Sequence, residues 1–182
     1  MSILASLKRL VAGPAPSPVD QLYTAVVATA RRPDWYVEGA VPDTLDGRFD
    51  MVALILSLLL LRLEEVTGGN IRHPAAQLSA DLTDRFIADM EGNLREDGIS
   101  DQAVPRHLGH MVAALGGRLG AYRAACGDAA AMAEALQRNL YRGADVPAAA
   151  TAHVVAESRR LSGQLAATSF ARLSAGMMEP AN

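Results

Sequence analysis

From Met51 to Leu61 the chain reads MVALILSLLLL, eleven residues with no charge and a single hydroxyl. Asp50 precedes the run and Arg62 follows it. A helix that crosses a bilayer needs about 20 predominantly apolar residues, so this stretch is too short to span one. Gly68 and Gly69, in EEVTGGN, supply a helix stop, which places the helix at about Gly47 to Val66. Leucine on every face requires other helices around it, as at the centre of a bundle. The same apolar surface also suits the floor of a groove for an apolar client, and the run alone does not choose between these two uses.

The rest of the chain supplies the surrounding helices. Aromatics are only 4% of 182 residues and alanine is abundant, a mix that favours close-packed helix over sheet. The expected fold is all-α, a single-domain bundle of about six helices around the central one. Leu22, Val26 and Ala30 stand at helical spacing in a helix that must end before Pro33. DWYVEGAVPD, which holds Trp35 and Tyr36, reads as irregular. Leu78, Leu82, Phe86, Met90 and Leu94 recur every four residues along a five-turn amphipathic helix that Gly98 stops. Pro105 opens the next helix, where Val104, Leu108, Met111, Leu115, Leu119, Tyr122 and Cys126 follow the alternating spacing of a packed seam. Asp128 is the expected N-cap of a shorter helix with Met132, Leu136 and Leu140. A last helix carries Val154, Leu161 and Leu165, with Glu157, Arg159 and Arg160 toward water.

These signals divide the chain into an N-terminal segment with a Pro-rich linker (1–18), a helical domain (19–176) and a flexible tail (177–182). The linker reading covers AGPAPSPVD, Ala12 to Asp20. Ahead of it, MSILASLKRLV forms an amphipathic stretch but a poor secretory signal, because Lys8 and Arg9 follow the apolar residues. A membrane-surface contact and a terminus docked on its own domain both remain open for it. A formal charge of -3 with scattered basic residues argues against nucleic acid as a ligand. The single cysteine, Cys126, forms no internal disulfide and falls on the apolar seam, which suits a buried, inert thiol and a bacterial cytoplasm.

Motifs for chemistry are mostly missing. His107 and His110 lie three apart on one helix, yet neither a cysteine nor a Glu-x-x-His pair accompanies them, so they read as surface histidines. DMEGN offers oxygen ligands at Asp89, Glu91 and Asn93, but Leu94 and Ser100 stand where a calcium loop needs glycine and glutamate. GGRLG, Gly116 to Gly120, lies in a helical stripe and suits close helix approach better than phosphate binding. DGISD, Asp97 to Asp101, has the spacing by which helical enzymes hold magnesium and diphosphate. Its only acidic counterpart, Asp84 with Asp89, is wrongly spaced. No catalytic residue, metal site or cofactor is assigned.

The stretch FIADMEGNLREDGISDQAVPRHLGHMVAALGGRLGAY, Phe86 to Tyr122, resembles the ubiquinol-cytochrome c chaperone family. That family shares an acidic helix of the form F-x-x-D-M-D-x-x-L-R-E-x-G-V-x-D, followed by a helix that ends in a Gly-Arg pair and a tyrosine. Phe86, Asp89, Met90, Leu94, Arg95, Glu96, Gly98, Asp101, Val104, Arg106, Gly117, Arg118 and Tyr122 match, with Glu91 for Asp and Ile99 for Val. Upstream, Phe49 to Met51 and Leu59 to Leu63 are similar to the family's long apolar helix. Gly116 departs from it, since an aromatic usually precedes the Gly-Arg pair.

The resemblance implies a non-enzymatic assembly factor of the respiratory bc1 complex that binds newly made cytochrome b, at the inner face of the membrane. Trp35, Tyr36, Asp89, Glu91, Arg95, Glu96, Asp101, Arg106, Arg118 and Tyr122 are the candidate partner-binding residues. A second assembly factor and peripheral membrane contact are compatible with it. Arg95, Glu96, Asp101 and Arg118 also fit a salt-bridged junction between two helices. A helical binding or regulatory module with another partner remains the alternative, ahead of a magnesium-dependent diphosphate enzyme.

Overall fold

The computed structural model describes residues 16–96 and 98–180. The N-terminal amphipathic stretch, residues 12–15 of the Pro-rich linker, Asp97 and residues 181–182 of the tail lie outside the described residues. Within them are eight helices and no strand: α1 (Pro18–Ala30), α2 (Pro33–Val37), α3 (Leu45–Thr67), α4 (Pro74–Glu96), α5 (Val104–Ala124), α6 (Ala129–Asn139), α7 (Ala148–Ala167) and α8 (Phe170–Ser174). The fold is all-α, with α3 packed against α1, α4, α5 and α7. None of these helices is long and apolar enough to cross a membrane.

Each end of α3 is determined locally. Thr44 accepts from the Gly47 N–H at 3.1 Å, and Gly68 closes the helix at φ 54. A Cβ on Gly47 would stand 2.0 Å from the Pro42 carbonyl oxygen, so only glycine lets the incoming chain cross here. From Asp50 to Leu60 every side chain is buried. Ser57 is accommodated because its hydroxyl donates to the Ala53 carbonyl at 2.6 Å.

The surrounding helices turn their apolar stripes inward as their periodicity requires. Leu22, Val26 and Ala30 of α1 and Leu82 and Phe86 of α4 are fully buried. Asp128 caps α6, accepting from the Ala130 and Ala131 N–H groups.

Five local expectations are corrected. Pro18 to Asp20 are helix rather than linker: Ser17 and Asp20 form a reciprocal capping box, and Pro18 takes the first helical position, where no amide donor is needed. DWYV is the short helix α2, begun by Pro33. Its Trp35 is fully buried, with Nε1–H donating to the Thr29 carbonyl at 2.7 Å, in the last turn of α1. Cys126 is exposed, because α5 stops at Ala124 and Ala125 takes the inward position. Gly116 and Gly117 are exposed, and a Cβ on either, or on Gly120, would meet nothing within 4 Å, so these glycines do not serve close helix approach. The segment placed in the tail, 177–182, is docked where it is described: Met178 is buried, and the Thr168 hydroxyl donates to its carbonyl at 3.1 Å.

Two predictions arise here. Gly117 has helical neighbours and open space, so Gly117→Ala should raise stability by about 0.5–1 kcal/mol, read as a higher urea midpoint at unchanged slope. Glu157, expected to face water, is instead half-buried and bridges Arg32 at 2.8 Å and Arg160 at 2.8 Å. Arg160 and Arg32 together hold its carboxyl down at about 2, against an ordinary 4.5. A carboxyl with a depressed folded-state pKa contributes stability that is fully present above the unfolded value and lost as pH falls through the folded one. The melting-temperature gap between the wild-type chain and Glu157→Gln should therefore be full above pH 4.5 and close toward pH 2.

Candidate functional site

The seam on α5 is not closed along its whole length. Val104, Leu115 and Tyr122 are buried, but Leu108, Met111 and Leu119 are only half-covered. Beside Met111 a cleft of about 430 Å³ opens between α3, α4 and α5. Leu45, Phe49 and Val52 face it from the first turns of α3, at the spacing that keeps one face of a helix in register. Met90, Asn93 and Leu94 line it from α4, and His107, His110, Met111, Ala114 and Arg118 from α5. Val27 and Arg31 of α1 and Arg142, just beyond α6, complete the wall.

Along this cleft runs an ionic cluster centred on the buried Asp50. Asp50 is 1% exposed and accepts from Arg118 Nη2 at Oδ1 and from Arg142 Nε at Oδ2, the latter at 2.7 Å. Arg142 also donates through Nη1 to Asp46 at 2.6 Å. Its backbone is left-handed, φ 53, a conformation that costs a bulky residue about 1–2 kcal/mol and persists here with three acid contacts to hold it. The Arg118 guanidinium also sits 5.4 Å from the centre of the Phe49 ring, joining cluster and cleft floor. Burial pushes the Asp50 carboxyl above the usual range, against the pull of Arg142 and Arg118. Tyr122, fully buried nearby, has its phenol pushed up by burial, and its hydroxyl has no hydrogen-bond partner among the described residues.

The ten residues singled out from sequence fall into four places. Asp89 and Arg118 line the cleft, Asp89 accepting from the Tyr23 hydroxyl at 3.0 Å. Glu91, Arg95 and Asp101 form an exposed chain of charges: Arg95 reaches Glu91 at 2.6 Å and Asp101 at 3.5 Å, with Arg95 54% and Asp101 90% exposed. Glu96 and Arg106 are exposed as well. Arg118 is thus largely covered against the buried Asp50, whereas the Arg95–Asp101 pair between α4 and the loop after it is exposed. Trp35 and Tyr122 belong to the core and present no surface to a partner. Tyr36 is half-buried, donates to the Ala30 carbonyl at 3.0 Å, and borders a second depression next to the cleft.

Sequence reasoning missed Asp50, Arg142, Phe49 and Met111 as site residues, and it left His107 and His110 as plain surface residues although both line the cleft. Asp50 carried a signal, being the acid that heads an otherwise apolar run; Arg142 carried none. Among the described residues no cluster of His, Cys, Asp or Glu could hold a metal ion.

An apolar cleft between helices has the form of a groove able to take the apolar face of a helix. Residues 38–180 match the ubiquinol-cytochrome C chaperone family, and the chain belongs to that family. The crystal structure of the Cbp3 homolog from Brucella abortus is similar, with 32% identity, a TM-score of 0.77, and coverage of 91% of this chain and 89% of that one. Among curated protein sequences none matches the chain.

Proposed function

We propose that this chain is an assembly chaperone of ubiquinol-cytochrome c reductase that holds newly made cytochrome b through the cleft between α3, α4 and α5. It acts at the inner face of the membrane, as a holder and not as a catalyst. The observation that carries the reading is the half-covered apolar lining at Phe49, Leu94 and Met111 in a chain of this family. Cytochrome b is built almost entirely of membrane helix, so a holder away from lipid must offer it apolar surface bounded by polar groups. Glu91, Arg95 and Asp101 extend the surface beyond the cleft along α4 and the loop after it.

The test is complementation of a strain that lacks this chain. Met111→Glu places a carboxylate on a half-exposed position, so the fold should survive while the cleft loses its apolar character. Its membranes should show little cytochrome b haem signal and little quinol oxidation. Arg95→Ala removes an exposed pair worth about 0–1 kcal/mol, so melting should change little while assembly of the complex falls. Normal assembly with a folded Met111→Glu variant would sink the proposal. Normal assembly with Arg95→Ala would remove the α4 charges from the partner surface and leave the cleft.

A further inference from the structure

The charges at the cleft are unevenly matched. Arg118 and Arg142 are neutralised by Asp50 and Asp46, and Arg48 is paired with Asp43 at 2.7 Å. Asp89 is taken up by Tyr23 and lies 3.9 Å from Arg85. Among the described residues no acid pairs with Arg31, although its backbone is fixed as the C-cap of α1. Arg31 is exposed, and it lines both the cleft and the neighbouring depression bordered by Tyr36 and Val37. Apolar surface lies on each side of it: Val37, 75% exposed, in one depression, and Leu45, 63% exposed, with Phe49 and Met111 in the other.

Resting on the docking role proposed above, we infer that the occupant is a peptide segment in which an aspartate or glutamate interrupts an apolar run, and that Arg31 takes up this carboxylate. An apolar segment laid across both depressions strips water from the Arg31 guanidinium. Without an acid of its own it leaves a covered, unpaired charge; with one it restores the lost hydration as a charge-assisted hydrogen bond. The selection therefore comes as much from the penalty on acid-free segments as from the attraction of acidic ones.

The experiment uses the full chain and two fluorescein-labelled synthetic helical peptides with one leucine-rich stripe, identical except for Glu or Gln at the centre. Fluorescence anisotropy should show the Glu peptide binding about tenfold more tightly, the factor expected for one hydrogen bond to a charged group. In Arg31→Gln the two peptides should bind equally, and in Met111→Glu both should weaken. Equal affinities for the wild-type chain, with binding still lost in Met111→Glu, would overturn the acid preference and leave the docking role standing. A preference that survives Arg31→Gln overturns the assignment to Arg31. Absence of binding by either peptide overturns inference and docking role together. Arg31-dependent capture of phosphatidylglycerol vesicles without discrimination between the peptides would identify a lipid phosphate as the anion and overturn the inference as well.

Discussion

Leu60→Asp should leave the chain unfolded. Leu60 is 7% exposed, and Leu56 and Leu63, one turn to either side on the same face of α3, are fully buried. A carboxylate at this position is nearly cut off from water within an apolar run, so it costs several kcal/mol, comparable to the whole stability of a domain of this size. The loss falls on the helix against which α1, α4, α5 and α7 all pack, so no subset of helices retains a core. Far-ultraviolet circular dichroism should show the helical signal lost. Leu60→Ala, which removes volume without adding charge, should cost about 2–5 kcal/mol and still fold. A fully helical Leu60→Asp variant would mean that this face of α3 is open.

Asp50→Ala should cost about 3–5 kcal/mol, because it leaves the largely covered Arg118 without its counter-charge and takes two of the three acid contacts from Arg142. For a domain of this length that lowers the melting temperature by about 10 °C. Arg95→Ala, at an exposed pair, should lower it by no more than about 3 °C. The contrast separates two acid-arginine systems that look alike in sequence. Asp50→Ala combined with Arg118→Leu should recover part of the loss, since an apolar pair of similar volume replaces a desolvated ionic one. Equal, small losses for Asp50→Ala and Arg95→Ala would mean that the Asp50 cluster is solvated in solution.

The helices of this protein were legible because their faces repeat. Leu78 to Leu94 and Leu22 to Ala30 announce their buried sides every fourth residue, and the uninterrupted run in α3 announces its central place. Misreadings came where a short signal stood for a longer context. Cys126 continues the α5 seam by arithmetic, but the helix ends before it, at Ala124. Trp35 and Tyr122 read as recognition aromatics, yet both fill the core beside helices far away in sequence. The cluster along the cleft joins Asp50 to Arg118 and Arg142 across 68 and 92 residues, a pairing to which local periodicity is blind. The cleft itself arises where Met111 is left half-covered between α3, α4 and α5, a tertiary feature that the periodicity of α5 does not carry. Family resemblance marked Asp89 and Arg118 in the cleft wall as partner-binding candidates, took Phe49 only as part of the long apolar helix, and did not mark Met111 or Arg31.

The account turns on whether the cleft is where cytochrome b is held, and photo-crosslinking in respiring cells measures this directly. A photoreactive amino acid placed at Met111, in the cleft, is compared with one placed at Ala152, exposed on α7 and away from it. The expected result is a cytochrome b adduct from position 111, depleted as the bc1 complex matures, and none from position 152. An adduct from position 152 alone, or from neither position while the complex assembles normally, would contradict the account.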